Sequence, residues 1–101
     1  MRNAPYTIDQ IRAIAAPIAR AYGAEKLSLF GSYARGEETV HSDVDLFLVG
    51  GNIRGLIQYY SFVNELEDAL GCHVDVVMAD SSDRELLNNI ARDEVMLYAA
   101  N

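Results

Sequence analysis

Apolar positions along the chain fall into two rhythms, one of about 3.6 residues and one of two, and each change of rhythm marks an element. Thr7 and Gln10 are spaced as a capping box. Behind them Ile8, Ile11, Ile14, Ala15, Ile18 and Tyr22 recur at helical spacing as far as Gly23, a stop signal. Pro17 lies inside this stretch, and proline removes a backbone donor and crowds the preceding turn. The pattern therefore predicts a kink near 13–16 or two short helices. Lys26–Phe30 alternates like a short strand and runs into Gly31-Ser32, after which Tyr33-Ala34-Arg35-Gly36 suffices for about one helical turn.

The strongest strand pattern is 43–49 (DVDLFLV), rich in β-formers and ended by Gly50-Gly51. A period of two puts Asp43, Asp45, Phe47 and Val49 on one face and Val44, Leu46 and Leu48 on the other. Over 53–70 a helical stripe runs through Leu56, Tyr59, Tyr60, Val63, Leu66 and Leu70 and stops at Gly71, with one of the two tyrosine rings expected at the surface. Segment 73–78 (HVDVVM) is a further strand, so strand, helix and strand in succession predict a crossover with the two strands parallel. A short helix over 83–90 and a final strand or helical turn over 95–98 complete the chain. No repeat or low-complexity segment interrupts it, and its 101 residues are read as one domain, 1–101.

Half the residues are hydrophobic and 23% are charged, which excludes wholesale disorder. The charge balance does more. Fifteen acidic against eight basic residues give a net charge of −7, which repels phosphate backbones and argues against direct binding to nucleic acid. Cys72, the single cysteine, forms no internal disulfide and is too little for a cysteine-based zinc site. No stretch resembles a signal peptide or a membrane span, so a soluble cytoplasmic protein is expected.

The chemistry lies in where the carboxylates fall. Asp43 and Asp45 share one face of a strong strand, and Asp75 sits inside the second strand among Val74, Val76 and Val77. If those strands are neighbours, three carboxylates converge, and their mutual repulsion calls for a counter-charge. Magnesium suits such a set, because it takes hard oxygen ligands and fills its remaining positions with water and substrate phosphates. Gly31-Ser32, between a strand and a helical turn, offers backbone N–H groups, close approach and one hydroxyl to a phosphate. Together these parts describe a site for a nucleoside triphosphate with bridging metal. His41 and His73 are assigned no role, and Glu65, Glu67 and Asp68 read as a solvated helix face.

Gly31-Ser32-Tyr33-Ala34-Arg35-Gly36-Glu37, then four residues, then Ser42-Asp43-Val44-Asp45-Leu46 resembles the GSxARG…SDxDL signature of the DNA polymerase β nucleotidyltransferase superfamily. More narrowly it is similar to the minimal nucleotidyltransferases, or MNT proteins. The resemblance spans nearly the whole chain, including Asp75 and the tail 90–98. It implies an α+β nucleotidyltransferase fold, a small mixed sheet packed with helices. By the same resemblance Gly31 and Ser32 hold the triphosphate of ATP, and Asp43 and Asp45 bind two Mg²⁺ ions. Asp75 completes the metal site or helps deprotonate the attacking hydroxyl. Arg35 contacts phosphate or substrate, or else pairs with Glu37 or Glu38.

Larger members of the superfamily append domains that hold the acceptor, and none is recognised here, so the acceptor surface is expected to come from a partner. The resemblance implies the MNT/HEPN arrangement, in which an MNT antitoxin transfers AMP from ATP to a tyrosine of a helical HEPN ribonuclease toxin. Two alternatives remain open at this point: neutralisation by binding alone, and modification of a small molecule such as an aminoglycoside.

Overall fold

In a computed structural model of the chain, residues 5–39 and 42–100 are described, which leaves His41 outside. The elements run α1 (Ile8–Tyr22), β1 (Lys26–Phe30), α2 (Gly31–Arg35), β2 (Val44–Val49), α3 (Gly55–Leu70), β3 (Val74–Met78), α4 (Arg84–Asp93) and β4 (Val95–Ala99). The four strands form one mixed sheet in the order β3-β2-β1-β4. β2 and β3 are parallel, as the strand–helix–strand succession requires, whereas β1 runs antiparallel to both β2 and β4. The last strand is thus a strand rather than a helical turn.

The capping box opens α1 as expected: the Gln10 N–H donates to Thr7 Oγ1 at 3.0 Å and the Thr7 N–H donates to Gln10 Oε1 at 2.9 Å. α1 then continues through Pro17 as one helix, which excludes the two short helices that were one of the two expected outcomes. Pro17 and Ala13 both face solvent, so water can take the carbonyl that loses its partner. Ile11, Ala15 and Ala19, buried on either side of the proline, hold the helix on the core. Leu27 and Leu29 of β1 and Leu46 and Leu48 of β2 form the floor of that core, closed by Ile11 of α1 and by Phe62, Leu66 and Leu70 of α3. Tyr22 meets Phe62 edge-on, with ring centroids 5.4 Å apart.

The stripe on α3 is corrected in two places. Phe62 is buried while Leu56 and Tyr60 are 71% and 57% exposed, so the inward line is Tyr59, Phe62, Leu66 and Leu70. Tyr60 lies about 100° around the helix from Tyr59 and cannot share its face. The two tyrosines divide as expected, with one ring against the core and the other at the surface. α4 extends three residues beyond the expected 83–90, with Asp83 as N-cap accepting from the Leu86 N–H at 3.0 Å.

Ser28 is the buried polar side chain of β1, and its hydroxyl donates to Glu94 Oε1 at 2.9 Å, beside Lys26 Nζ at 2.7 Å. Burial pushes the Glu94 carboxyl up, but the hydrogen bonds from Lys26 and Ser28 outweigh it and leave it below its ordinary value. A lowered carboxyl contributes stability above its ordinary titration range and loses it as pH falls through the folded-state value. Glu94→Gln is therefore expected to cost about 1–2 kcal/mol at neutral pH and nothing in acid. Urea denaturation at the two pH values checks this.

Candidate active site

Register, not sequence proximity, brings the site together. Asp45 stands opposite Phe30 on β1 and opposite Asp75 on β3, so the chain turn after Phe30 and both strand carboxylates meet at one end of the sheet. Asp43 lies one residue before β2, where the Val44 N–H donates to the His73 carbonyl at 3.1 Å. Just before it, Ser42 Oγ accepts from the Thr39 N–H at 2.8 Å. The alternation of β2 is as expected: Val44, Leu46 and Leu48 are buried, while Asp45, Phe47 and Val49 are partly open.

Gly31 opens α2 at φ 75°, in the left-handed region that favours glycine. A Cβ placed there would overlap Asp45 Oδ2 and lie 3.0 Å from its Cγ. The glycine is thus required twice over, once by its backbone angle and once because the Asp45 carboxylate rests against it. Ser32 follows directly, with its carbonyl accepting from the Glu37 N–H at 2.9 Å and its side chain partly open.

Burial pushes the Asp45 carboxyl above its ordinary value, and the charges of Asp75 and Asp43 push the same way, outweighing Arg35 and His73. Atoms of Asp43, His73 and Asp75 suited to ligate a cation lie within 4.8 Å of one another. A half-buried Asp45 carboxylate under the charges of Asp43 and Asp75, which themselves cluster with His73, is a donor set that a hard divalent cation would relieve. A raised carboxyl favours the protonated fold, so charged Asp45 costs nothing in acid and its full penalty once pH has passed the folded-state value. Asp45→Asn without divalent cations is accordingly expected to melt higher than the unmodified chain at neutral pH, with the difference vanishing in acid. Thermal denaturation in chelator, repeated across pH, reads this out; a lower melting temperature at neutral pH would contradict it.

Arg35 and His73 each engage neighbouring carboxylates. Arg35 pairs with Glu37 at 2.9 Å and with Asp93 of α4 at 3.3 Å. Of the roles open to it, ion pairing is the one its contacts match. His73, given no role, lies within the acidic cluster: Nε2 is 3.0 Å from Asp75 Oδ1 and Nδ1 is 3.1 Å from Glu67 Oε2. The signal was its position two residues before Asp75 on a strand, hence on the same face. A groove of about 540 Å³ between Pro17, Arg20 and Tyr98 has none of these residues in its lining.

A small mixed sheet that sets a glycine-serine turn against Asp45, with Asp43 and Asp75 near that carboxylate, is the arrangement of the nucleotidyltransferase class. The polymerase beta nucleotidyltransferase family model matches residues 14–101, and the chain belongs to that family. A Methanocaldococcus jannaschii protein provisionally named a protein adenylyltransferase is 34% identical, covering 87% of this chain and 95% of the relative. Protein adenylyltransferase MntA of Thermococcus cleftensis is 30% identical over 88% of this chain and 94% of its own length. A solved structure provisionally described as a minimal nucleotidyltransferase superposes with a TM-score of 0.76 at 28% identity, over 89% of this chain and 95% of that one. A complex of a tri-AMPylated HEPN toxin with an MNT antitoxin from Shewanella oneidensis contains a chain matched with a TM-score of 0.71 at 19% identity, over 92% and 73% of the two chains; at that identity the likeness concerns the fold. No helix among the described residues is long and apolar enough to cross a membrane.

Proposed function

We propose that this chain is a Mg²⁺-dependent protein adenylyltransferase that moves AMP from ATP to a tyrosine of a HEPN ribonuclease toxin and thereby neutralises it. The observation that carries the reading is the contact of the Asp45 carboxylate with Gly31, opposite Asp75, which would set a triphosphate held at Gly31 beside cations held by the carboxylates. Names support the acceptor, since relatives covering nearly their full length are protein adenylyltransferases and structures of like fold include an AMPylated HEPN toxin with its MNT partner.

In this reading the tyrosine oxygen forms a bond to the α-phosphorus of ATP, the bond from that phosphorus to the β-phosphate oxygen breaks, and pyrophosphate leaves. Asp43 and Asp45 hold two ions, Asp75 is the third carboxylate, as ligand or as acceptor of the hydroxyl proton, and Gly31 and Ser32 take the triphosphate. Mg²⁺, when bound, supplies the positive charge that the attacking and leaving oxygens need. Arg35, held by Glu37 and Asp93, fixes α2 against α4 rather than meeting phosphate.

Co-expression with a cognate HEPN toxin tests the reading in cells. The unmodified chain restores growth, and the Asp43→Asn, Asp45→Asn variant does not, although it is still recovered bound to the toxin. Equal protection by the variant would instead establish neutralisation by binding alone.

A further inference from the structure

We infer that Glu67 and His73 act as a positioning pair that holds the Asp75 carboxylate in place at the cation end of the sheet, an inference that rests on the reading of Asp75 as part of that site. The pair begins at the end of α3. Gly71, at φ 68°, turns the chain off the helix with its N–H donating to the Glu67 carbonyl at 2.7 Å, so that β3 starts beside the last helical turn. Glu67 then reaches onto the strand, where its Oε2 accepts from the Val74 N–H at 2.9 Å and lies 3.1 Å from His73 Nδ1. The side chain expected to be a solvated helix face is thus fastened to the backbone of β3.

From His73 the contact continues to Asp75 Oδ1, 3.0 Å from Nε2. His73 lies immediately before β3 and two residues before Asp75, close enough for its ring to reach that carboxylate. The Asp75 side chain is 56% exposed, and the contact given for its carboxylate is the one from His73. Its orientation comes from the imidazole, and the imidazole's orientation comes from Glu67. One carboxylate oxygen is engaged by His73 and the other is left for a cation. A partner that orients a ligating group in this way typically contributes a factor of about 10–100 to metal affinity.

Mn²⁺ binding by the full chain, followed by electron paramagnetic resonance without nucleotide or toxin, tests this. His73→Ala weakens Mn²⁺ binding about 10-fold or more, and Glu67→Ala shifts it in the same direction. His73→Gln, whose amide N–H can donate to Asp75 Oδ1, restores most of the affinity. Unchanged or tighter binding by His73→Ala overturns the inference, even if that variant melts lower. A His73→Gln variant as weak as His73→Ala overturns it too, because the imidazole would then be a ligand itself. Absence of Mn²⁺ binding by the unmodified chain overturns both this inference and the reading of the site. Absence of AMP transfer alongside His73-dependent Mn²⁺ binding contradicts only the proposed function.

Discussion

Replacing Asp43 and Asp45 together by Asn lowers the rate of AMP transfer by about 100-fold or more, the range expected when a principal electrostatic stabiliser of a transition state is removed. The fold should survive. Asp43 is exposed, and Asp45 is a carboxylate whose charged form burial, Asp75 and Asp43 all disfavour. The double variant is therefore expected to keep or raise the melting temperature in chelator and to gain nothing from added Mg²⁺, whereas the unmodified chain is expected to melt higher with it. Transfer rates and paired melting curves check both halves. A variant that transfers AMP normally would remove the carboxylates from the chemistry, whereas one that unfolds would make them structural.

Gly31→Ala carries the second large effect, and Gly36→Ala is its control. Both glycines have φ near +75° (75° and 73°), so each alanine bears a backbone cost of about 1–2 kcal/mol. In a domain this small that lowers the melting temperature by roughly 5–15 °C. Only at Gly31 does the new methyl meet the Asp45 carboxylate, since nothing lies within 4 Å of a Cβ on Gly36. Gly31→Ala must therefore displace Asp45 as well as strain the turn, and is expected to lose both stability and transfer. Gly36→Ala should lose stability alone. Equal transfer rates in the two variants would mean that the Gly31–Asp45 contact has no part in the reaction.

These two glycines also mark what the sequence can say. Gly31-Ser32, Asp43 and Asp45 were legible because their spacing forms a motif, and Asp75 because a carboxylate interrupts an apolar strand. What brought them together was not legible: the antiparallel β1–β2 register that sets Asp45 opposite Phe30 depends on tertiary pairing, and local pattern carries no record of it. The same holds for Arg35, drawn to Asp93 from α4, and for Glu67, drawn to the backbone of β3. Helical periodicity overreached on α3, where it counted Leu56 in the stripe and passed over Phe62, because periodicity reports a face without reporting what that face meets. At Pro17 the helix runs on through a solvent-facing proline, anchored by buried residues on either side.

Leu56, Ile57 and Tyr60 leave an apolar surface on α3, and Tyr59 of the same helix reaches the Val76 carbonyl next to Asp75 at 3.3 Å.

The most direct measurement is the intact mass of a cognate HEPN toxin after incubation with the purified chain, ATP and Mg²⁺. The account predicts a gain of whole adenylyl units on the toxin, lost on mutation of the acceptor tyrosine, on omission of Mg²⁺ and in the Asp43→Asn, Asp45→Asn variant. A toxin that is bound and neutralised with its mass unchanged would contradict it.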